Sequence, residues 1–183
     1  MSVRPALAGL IVLGALAAAP ALAQEPPSVA FNVGAATEYV FRGVSQTDED
    51  PAIQGGVDVG MGMFYAGAWA SNVDFFDSTD FEFDFYAGVK PTVGAVTLDL
   101  GVIYYGYADQ PSGADYDYWE GKVAASVPAG PATLGVAVYY SPEFFGNTGD
   151  AWSLESGPVA IEECPYGHSQ EQNPRNVKGS VVG

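Results

Sequence analysis

The strongest constraint in this sequence is a strict alternation of acidic and aromatic residues within one segment. From Asp80 to Phe85 the chain reads Asp-Phe-Glu-Phe-Asp-Phe, and the segment continues to Lys90. Successive side chains of a β-strand point to opposite faces of its sheet, so one face here is charged and the other apolar. In a water-soluble sandwich the aromatic face packs in the core, whereas in a transmembrane barrel it faces lipid. The alternation alone leaves both alternatives open.

Six other segments share this period of two and are separated by Gly, Pro, Asp and Ser residues. Short connections near residues 62, 94 and 128–131 alternate with longer, acidic ones near 45–51, 73–79 and 108–114. Short turns on one side and long loops on the other are typical of outer-membrane barrels. The sequence therefore predicts strands at about residues 29–41, 53–61, 64–72, 80–90, 95–107, 116–127 and 132–140, followed by a stub at 152–154.

Composition supports an all-β fold. The 183 residues include 11 Tyr, 10 Phe and 23 Gly, which favour strands and turns over helices. A hydrophobic fraction of 48% excludes intrinsic disorder. Tyr and Trp collect near segment ends, as an interfacial aromatic girdle requires. We therefore expect an antiparallel up-and-down transmembrane β-barrel, incomplete at its C-terminus.

The N-terminus predicts export. Arg4 precedes an apolar run at residues 6–19, and Ala21-Leu22-Ala23 supplies a cleavage pattern, so residues 1–23 read as a signal peptide. The net charge of −16 excludes nucleic acid as a partner, because binding to phosphates depends on Lys and Arg. The expected location is the outer membrane, with membrane lipid and small solutes as partners.

The sequence offers little catalytic chemistry. Its only cysteine and only histidine, Cys164 and His168, lie in the polar tail, and no framed serine nucleophile is present. We expect neither an enzyme nor a cofactor or metal site. Arg42 is expected to pair with a carboxylate of a neighbouring strand or to place a positive charge in an acidic pore. The candidate pore-lining residues, whose carboxylates favour cations, are Glu38, Arg42, Asp58, Glu82, Asp84, Asp99 and Glu120.

Two functions from different classes follow from these patterns. The first is an outer-membrane porin that passes small solutes by passive diffusion. The second is a soluble periplasmic or secreted β-sandwich that acts as a binding or structural module, in which Phe81, Phe83 and Phe85 pack a core.

Several motifs resemble the TorF-type porin family of Gram-negative bacteria. The most specific contains Phe-Arg-Gly-Val-Ser-Gln at residues 41–46, and the resemblance covers roughly residues 29–154. It implies an outer-membrane β-barrel with a channel role and supplies no catalytic residues. The motifs are EYVFRGVSQT at 38–47, DPAIQGG at 50–56, GAWASNVDF at 67–75, FDFYAG at 83–88, YYGY at 104–107 and YYSP at 139–142.

The C-terminal segment departs from this pattern. We expect barrel strands within residues 24–156 and an irregular tail at 157–183, because the tail contains Pro158, Pro165 and Pro174 and no run with a period of two. The chain also lacks the terminal aromatic residue expected of outer-membrane barrels. A frameshift or truncation near codon 156 is the corresponding hypothesis.

Overall fold

The computed structural model describes residues 26–159, and this part of the chain contains β-strands and one turn of 3-10 helix at Phe145–Asn147, with no α-helix. Residues 26–159 contain no candidate for a transmembrane helix. The predicted signal peptide, the tail beyond residue 159, Cys164 and His168 lie outside the described residues. The strands are β1 Ser28–Ala36, β2 Val40–Phe41, β3 Val44–Ser45, β4 Ala52–Met61, β5 Phe64–Asn72, β6 Phe81–Val89, β7 Thr92–Val93, β8 Val96–Ala108, β9 Tyr118–Ala129, β10 Ala132–Ser141 and β11 Ala151–Val159.

The long strands form one antiparallel up-and-down sheet in the order β1-β4-β5-β6-β8-β9-β10-β11, and the short strand β7 pairs with β8. Strands β2 and β3 form a separate hairpin. The predicted all-β, antiparallel up-and-down architecture is confirmed. Within residues 26–159 no strand pairing joins β1 to β11, so the described sheet has two edges and is not closed into a barrel.

The connections separate the two ends of the sheet. Strands β4, β6 and β9 are each joined to the next long strand at one end, through residues 62–63, 90–95 and 130–131. The long loops, residues 37–51, 73–80, 109–117 and 142–150, lie at the other end. The predicted alternation of short and long connections is therefore present in the fold.

Two predicted strands differ from the observed ones. The first was expected to run to Phe41, but β1 ends at Ala36, and residues 40–45 turn back as a hairpin through Arg42 and Gly43, both of which have positive φ. The stub expected at residues 152–154 is a full strand, because β11 pairs with β10 from Ala151 to Val159. Its sequence signal is weakened by Gly157 and Pro158, which lie next to the C-terminal end of the strand.

The sheet buries carboxylates on one face and exposes apolar side chains on the other, which is the reverse of the arrangement in a water-soluble protein. On β6, Glu82 and Asp84 are each 1% exposed, whereas Phe85 on the opposite face is 55% exposed. We call the carboxylate-bearing surface the inner face and the opposite surface the outer face. The outer face consists mainly of exposed apolar side chains, including Val33, Ile53, Leu100, Val102, Val123, Val136 and Leu154.

Glycines on the inner face make room for tyrosine rings from neighbouring strands. Gly67 of β5 lies opposite Tyr86 of β6 and Asp58 of β4. The Tyr86 ring crosses Gly67 so closely that a Cβ there would overlap it, and the Tyr86 hydroxyl thereby reaches Asp58. Tyr65 packs in the same way across Gly88 of β6 and Gly101 of β8. Each ring needs a glycine opposite it, so these contacts favour the register that places tyrosine and glycine side by side.

Gly67→Ala is expected to destabilise the fold by about 1–3 kcal/mol, because the added methyl group forces the Tyr86 ring away from its position. The midpoint of urea unfolding, followed by tyrosine and tryptophan fluorescence, measures the change. Gly34→Ala is the matched control, since Gly34 also lies in a strand and nothing approaches its Cβ position within 4 Å. Equal midpoints for the two variants would contradict this packing.

Candidate functional site

The inner face concentrates the charged groups of the sheet. Its buried carboxylates are Asp58, Glu82, Asp84, Asp99 and Glu120. All three basic residues of the described part of the chain, Arg42, Lys90 and Lys122, also contact groups on this face. Buried carboxylates are costly unless they accept hydrogen bonds or pair with cations, so the placement of these donors has a direct electrostatic reason.

Arg42 lies at the tip of the β2–β3 hairpin and forms a bidentate ion pair with Glu120 of β9. Its Nη1 and Nη2 atoms donate to Glu120 Oε1 and Oε2 at 2.6 and 2.7 Å. The pair is well shielded, with the two side chains 12% and 2% exposed. The guanidinium also lies over the rings of Phe41 and Tyr139, at 4.6 and 5.0 Å from their centroids. The expected pairing of Arg42 with a carboxylate is confirmed, but the partner is on a distant strand.

Tyr39 anchors the base of the hairpin. Its hydroxyl donates to Glu82 Oε1 at 2.9 Å, and its ring packs edge-on against Trp69 at 5.5 Å between centroids. Its backbone N–H donates to Thr47 Oγ1 at 3.1 Å. Tyr39 and Thr47 are each 1% exposed, so the base of the hairpin is firmly packed against the sheet.

The hairpin lies in the concavity of the sheet. Tyr39 contacts Trp69 of β5 and Glu82 of β6, Phe41 packs on Tyr105 of β8, and Arg42 contacts β9 and β10. Residues 39–42 therefore contact side chains of five consecutive strands of the main sheet. We conclude that the inner face curves around the hairpin.

A second polar cluster lies nearer the short connections. Asp99 accepts hydrogen bonds from the Tyr65 hydroxyl at 2.6 Å and from Lys122 Nζ at 2.8 Å. Lys90 Nζ lies 3.7 Å from the same carboxylate. The Asp99 carboxylate of β8 thus links side chains of β5 and β9 with the lysine that follows β6.

The long loops form an aromatic cap at their end of the sheet. Phe75, Tyr107, Tyr116 and Phe145 pack together, with Tyr116 and Phe145 stacked at 4.5 Å between ring centroids. The Tyr116 hydroxyl donates to Asp77 at 2.8 Å. This hydrogen bond raises the pKa of Tyr116, while the backbone N–H of Thr79 lowers the pKa of Asp77. The contacts join three of the loops to one another.

The candidate pore-lining residues have different placements. Five of them, the carboxylates of the inner face, are buried within strands, and Arg42 joins them from the hairpin. Glu38 lies outside the strands, in the connection between β1 and β2, and is half-exposed. Whether these residues line a pore stays a prediction.

Sequence reasoning missed the tyrosines that hydrogen-bond these carboxylates. Tyr39, Tyr65, Tyr86 and Tyr105 donate to Glu82, Asp99, Asp58 and Glu120 respectively. The expected aromatic girdle places Tyr and Trp at membrane interfaces, but these four rings point inward. The spacing of the residues could have predicted these positions. Residues two apart in a strand lie on the same face, so Tyr86 must share a face with Glu82 and Asp84.

The arrangement provides fixed charges and hydrogen-bond donors along a curved surface. Within residues 26–159 no group of three or more His, Cys, Asp or Glu side chains has the geometry to hold a metal ion. Asp58 and Glu82 each accept a hydrogen bond from a tyrosine hydroxyl, whereas Asp99 and Glu120 accept hydrogen bonds from both a tyrosine hydroxyl and a basic side chain. Such an arrangement sets the electrostatic potential along the inner face.

Tyr86→Phe is expected to destabilise the fold by about 1–3 kcal/mol, because the buried Asp58 carboxylate loses the hydroxyl that donates to it. Urea unfolding measures this loss. Tyr140→Phe makes the same chemical change on the outer face, where Tyr140 is 37% exposed, and should leave the midpoint unchanged. A midpoint for Tyr86→Phe that matches this control would contradict the assigned role of the hydroxyl.

Comparison with known proteins corrects one expectation. No curated protein and no solved structure matches the chain. One family model matches residues 20–166, and its description contains no porin assignment, so the identification of the chain with TorF-type porins is wrong. The chain belongs to the family described as bacterial protein of unknown function (Gcw_chp).

Proposed function

We propose that this chain is an outer-membrane β-barrel that conducts small cations by passive diffusion. The observation that carries the proposal is the reversed polarity of the sheet, with carboxylates buried on the inner face and aliphatic side chains exposed on the outer face. In water this arrangement exposes a wide apolar surface at a free-energy cost. In a bilayer the same surface contacts lipid, and the polar face lines the interior.

Strand length supports a membrane location. The long strands contain 9 to 13 residues, and a tilted transmembrane strand needs about 9–11. Four aromatic residues of the outer face, Tyr104, Trp119, Tyr140 and Trp152, lie within four residues of the strand ends that meet the long loops. Aromatic rings at that level suit the boundary between hydrocarbon and water.

Closure of the sheet is part of the proposal. Eight long strands in alternating directions leave β1 and β11 antiparallel to each other, so their free edges are suited to pair. In hydrocarbon each unpaired backbone group costs several kcal/mol, which favours closure. A barrel of about eight strands has an interior that side chains nearly fill. The packed inner face and its hairpin agree with that size.

The fixed charges favour cations. In formal charge the five carboxylates of the inner face outnumber its three basic groups, which supports a preference for cations. The predicted signal peptide supports delivery across the inner membrane. The alternative of a soluble sandwich requires Phe81, Phe83 and Phe85 in a core, but Phe81 and Phe85 are 43% and 55% exposed, and Phe83 is only partly buried. We therefore retain the membrane proposal alone.

Val123→Lys tests which solvent the outer face contacts. Val123 is 60% exposed near the middle of β9, and burying a lysine in hydrocarbon there should cost about 2–4 kcal/mol. Urea unfolding from lipid vesicles measures the loss, and Ser112→Lys in a long loop serves as the control. A change within about 0.5 kcal/mol at both sites is the result for a water-exposed surface and would overturn the proposal.

A detergent gel of the outer-membrane fraction, with boiled and unboiled samples side by side, tests folding and location together. A closed barrel should migrate at a different position until it is heated. In planar bilayers the same protein should show a reversal potential that favours K⁺ over Cl⁻ across a salt gradient. Recovery only from the soluble periplasmic fraction, with no shift on heating, would contradict the proposal.

A further inference from the structure

We propose that the tip of the β2–β3 hairpin is a gate and that the Arg42–Glu120 ion pair is its latch. The inference rests on the proposed function, since a gate needs a conducting path. In this structure the gate is closed, and conduction requires the tip, residues 40–45, to leave the inner face.

The hairpin occupies the space that a conducting path would use. Tyr39 at its base contacts β5 and β6, and the tip contacts β8, β9 and β10 through Phe41 and Arg42 from within the curve of the sheet. Glu120, which pairs with Arg42 in the tip, is 2% exposed, and Glu82, which pairs with Tyr39 in the base, is 1% exposed. A path along the inner face therefore passes the position of Arg42.

The tip can move without disrupting the main sheet. Strands β2 and β3 pair with each other, and the main sheet passes directly from β1 to β4. Arg42 and Gly43 form its two-residue turn, with φ of 48° and 86°. The tip therefore contributes no hydrogen bond to the main ladder, and its displacement leaves the order of the strands intact.

The base and the tip are held differently. Tyr39 and Thr47 are almost fully buried, and a backbone bond of 2.7 Å from Gln46 N–H to the Tyr39 carbonyl closes the base. At the tip, Val40 and Val44 are 48% and 63% exposed. The contacts described for the tip are those of Arg42 and the packing of Phe41 on Tyr105. The ion pair is therefore the main charged contact that holds the tip against the inner face.

Glu120, the partner of Arg42 on the sheet, is held in position independently of Arg42. Glu120 also accepts a hydrogen bond of 3.2 Å from the Tyr105 hydroxyl, which holds the carboxylate in place when Arg42 departs. Water then solvates both charges, so release costs less than leaving a buried charge unpaired. The pair can reform on return because its partner stays oriented.

The test uses the full-length chain in planar bilayers, with K⁺ as the conducted ion. Arg42→Ala and Glu120→Ala should each raise the open probability by at least about tenfold, because loss of one partner disfavours the closed state. The exchange Arg42→Glu with Glu120→Arg restores the pair and should return gating to near the wild-type level. Val44→Ala, an exposed change on the same hairpin, should gate like wild type.

Each outcome separates the two proposals. If wild type conducts and the single variants gate as it does, the gate is overturned while conduction stands. If the exchanged pair gates like the single variants, the latch is likewise overturned. If none of the proteins conducts although all shift on heating, conduction and the gate both fail.

A cross-link covers the case in which single variants do not fold. Arg42→Cys and Glu120→Cys, in a Cys164→Ser background, remove both charges together and place two thiols across the contact. A flexible bismaleimide with an internal disulfide should abolish openings, and reductant should restore them. Openings that persist with the cross-link in place would overturn the gate.

Discussion

The burial of carboxylates on a concave sheet surface is the constraint on which the rest of this structure depends. Each buried carboxylate requires donors. For Asp58, Glu82, Asp99 and Glu120 the three basic residues of the described chain and the inward tyrosines supply them. The apolar residues of the same strands are consequently directed outward. The polarity of both faces thus follows from a single electrostatic requirement.

That requirement also explains the small residues of the inner face. A tyrosine can reach a carboxylate two strands away only if its ring lies flat across the strand between them. Gly67 permits this for Tyr86 and Asp58, and Gly88 and Gly101 permit it for Tyr65 and Asp99. Hydrogen bonding and steric fit therefore specify the same register. A shift of one residue would place each ring over a side chain and direct its hydroxyl away from its partner.

The periodicity of the sequence was sufficient to predict most strands and the polarity of their faces, because both are local properties. The sequence prediction was wrong where tertiary contacts determine the conformation of the chain. Tyr39, Val40 and Phe41 are good strand formers, so β1 was expected to continue, but Tyr39 is bound by Glu82 and Trp69 and the chain turns at Arg42. The partner of Arg42 lies 78 residues away, beyond any local pattern. Strand β11 likewise depends on pairing with β10 more than on its own sequence.

Packing and conduction make opposing demands on a sheet of this size. An interior enclosed by about eight strands is nearly filled by side chains, and here Tyr39, Phe41 and Arg42 complete the filling. Tyr65, Tyr86 and Asp99 cannot leave without loss of contacts that set the register of the strands. The tip of the hairpin has no such role, because its backbone pairs only with itself among the described strands. If ions pass through this interior, the tip is the part that can yield at the least cost to the fold.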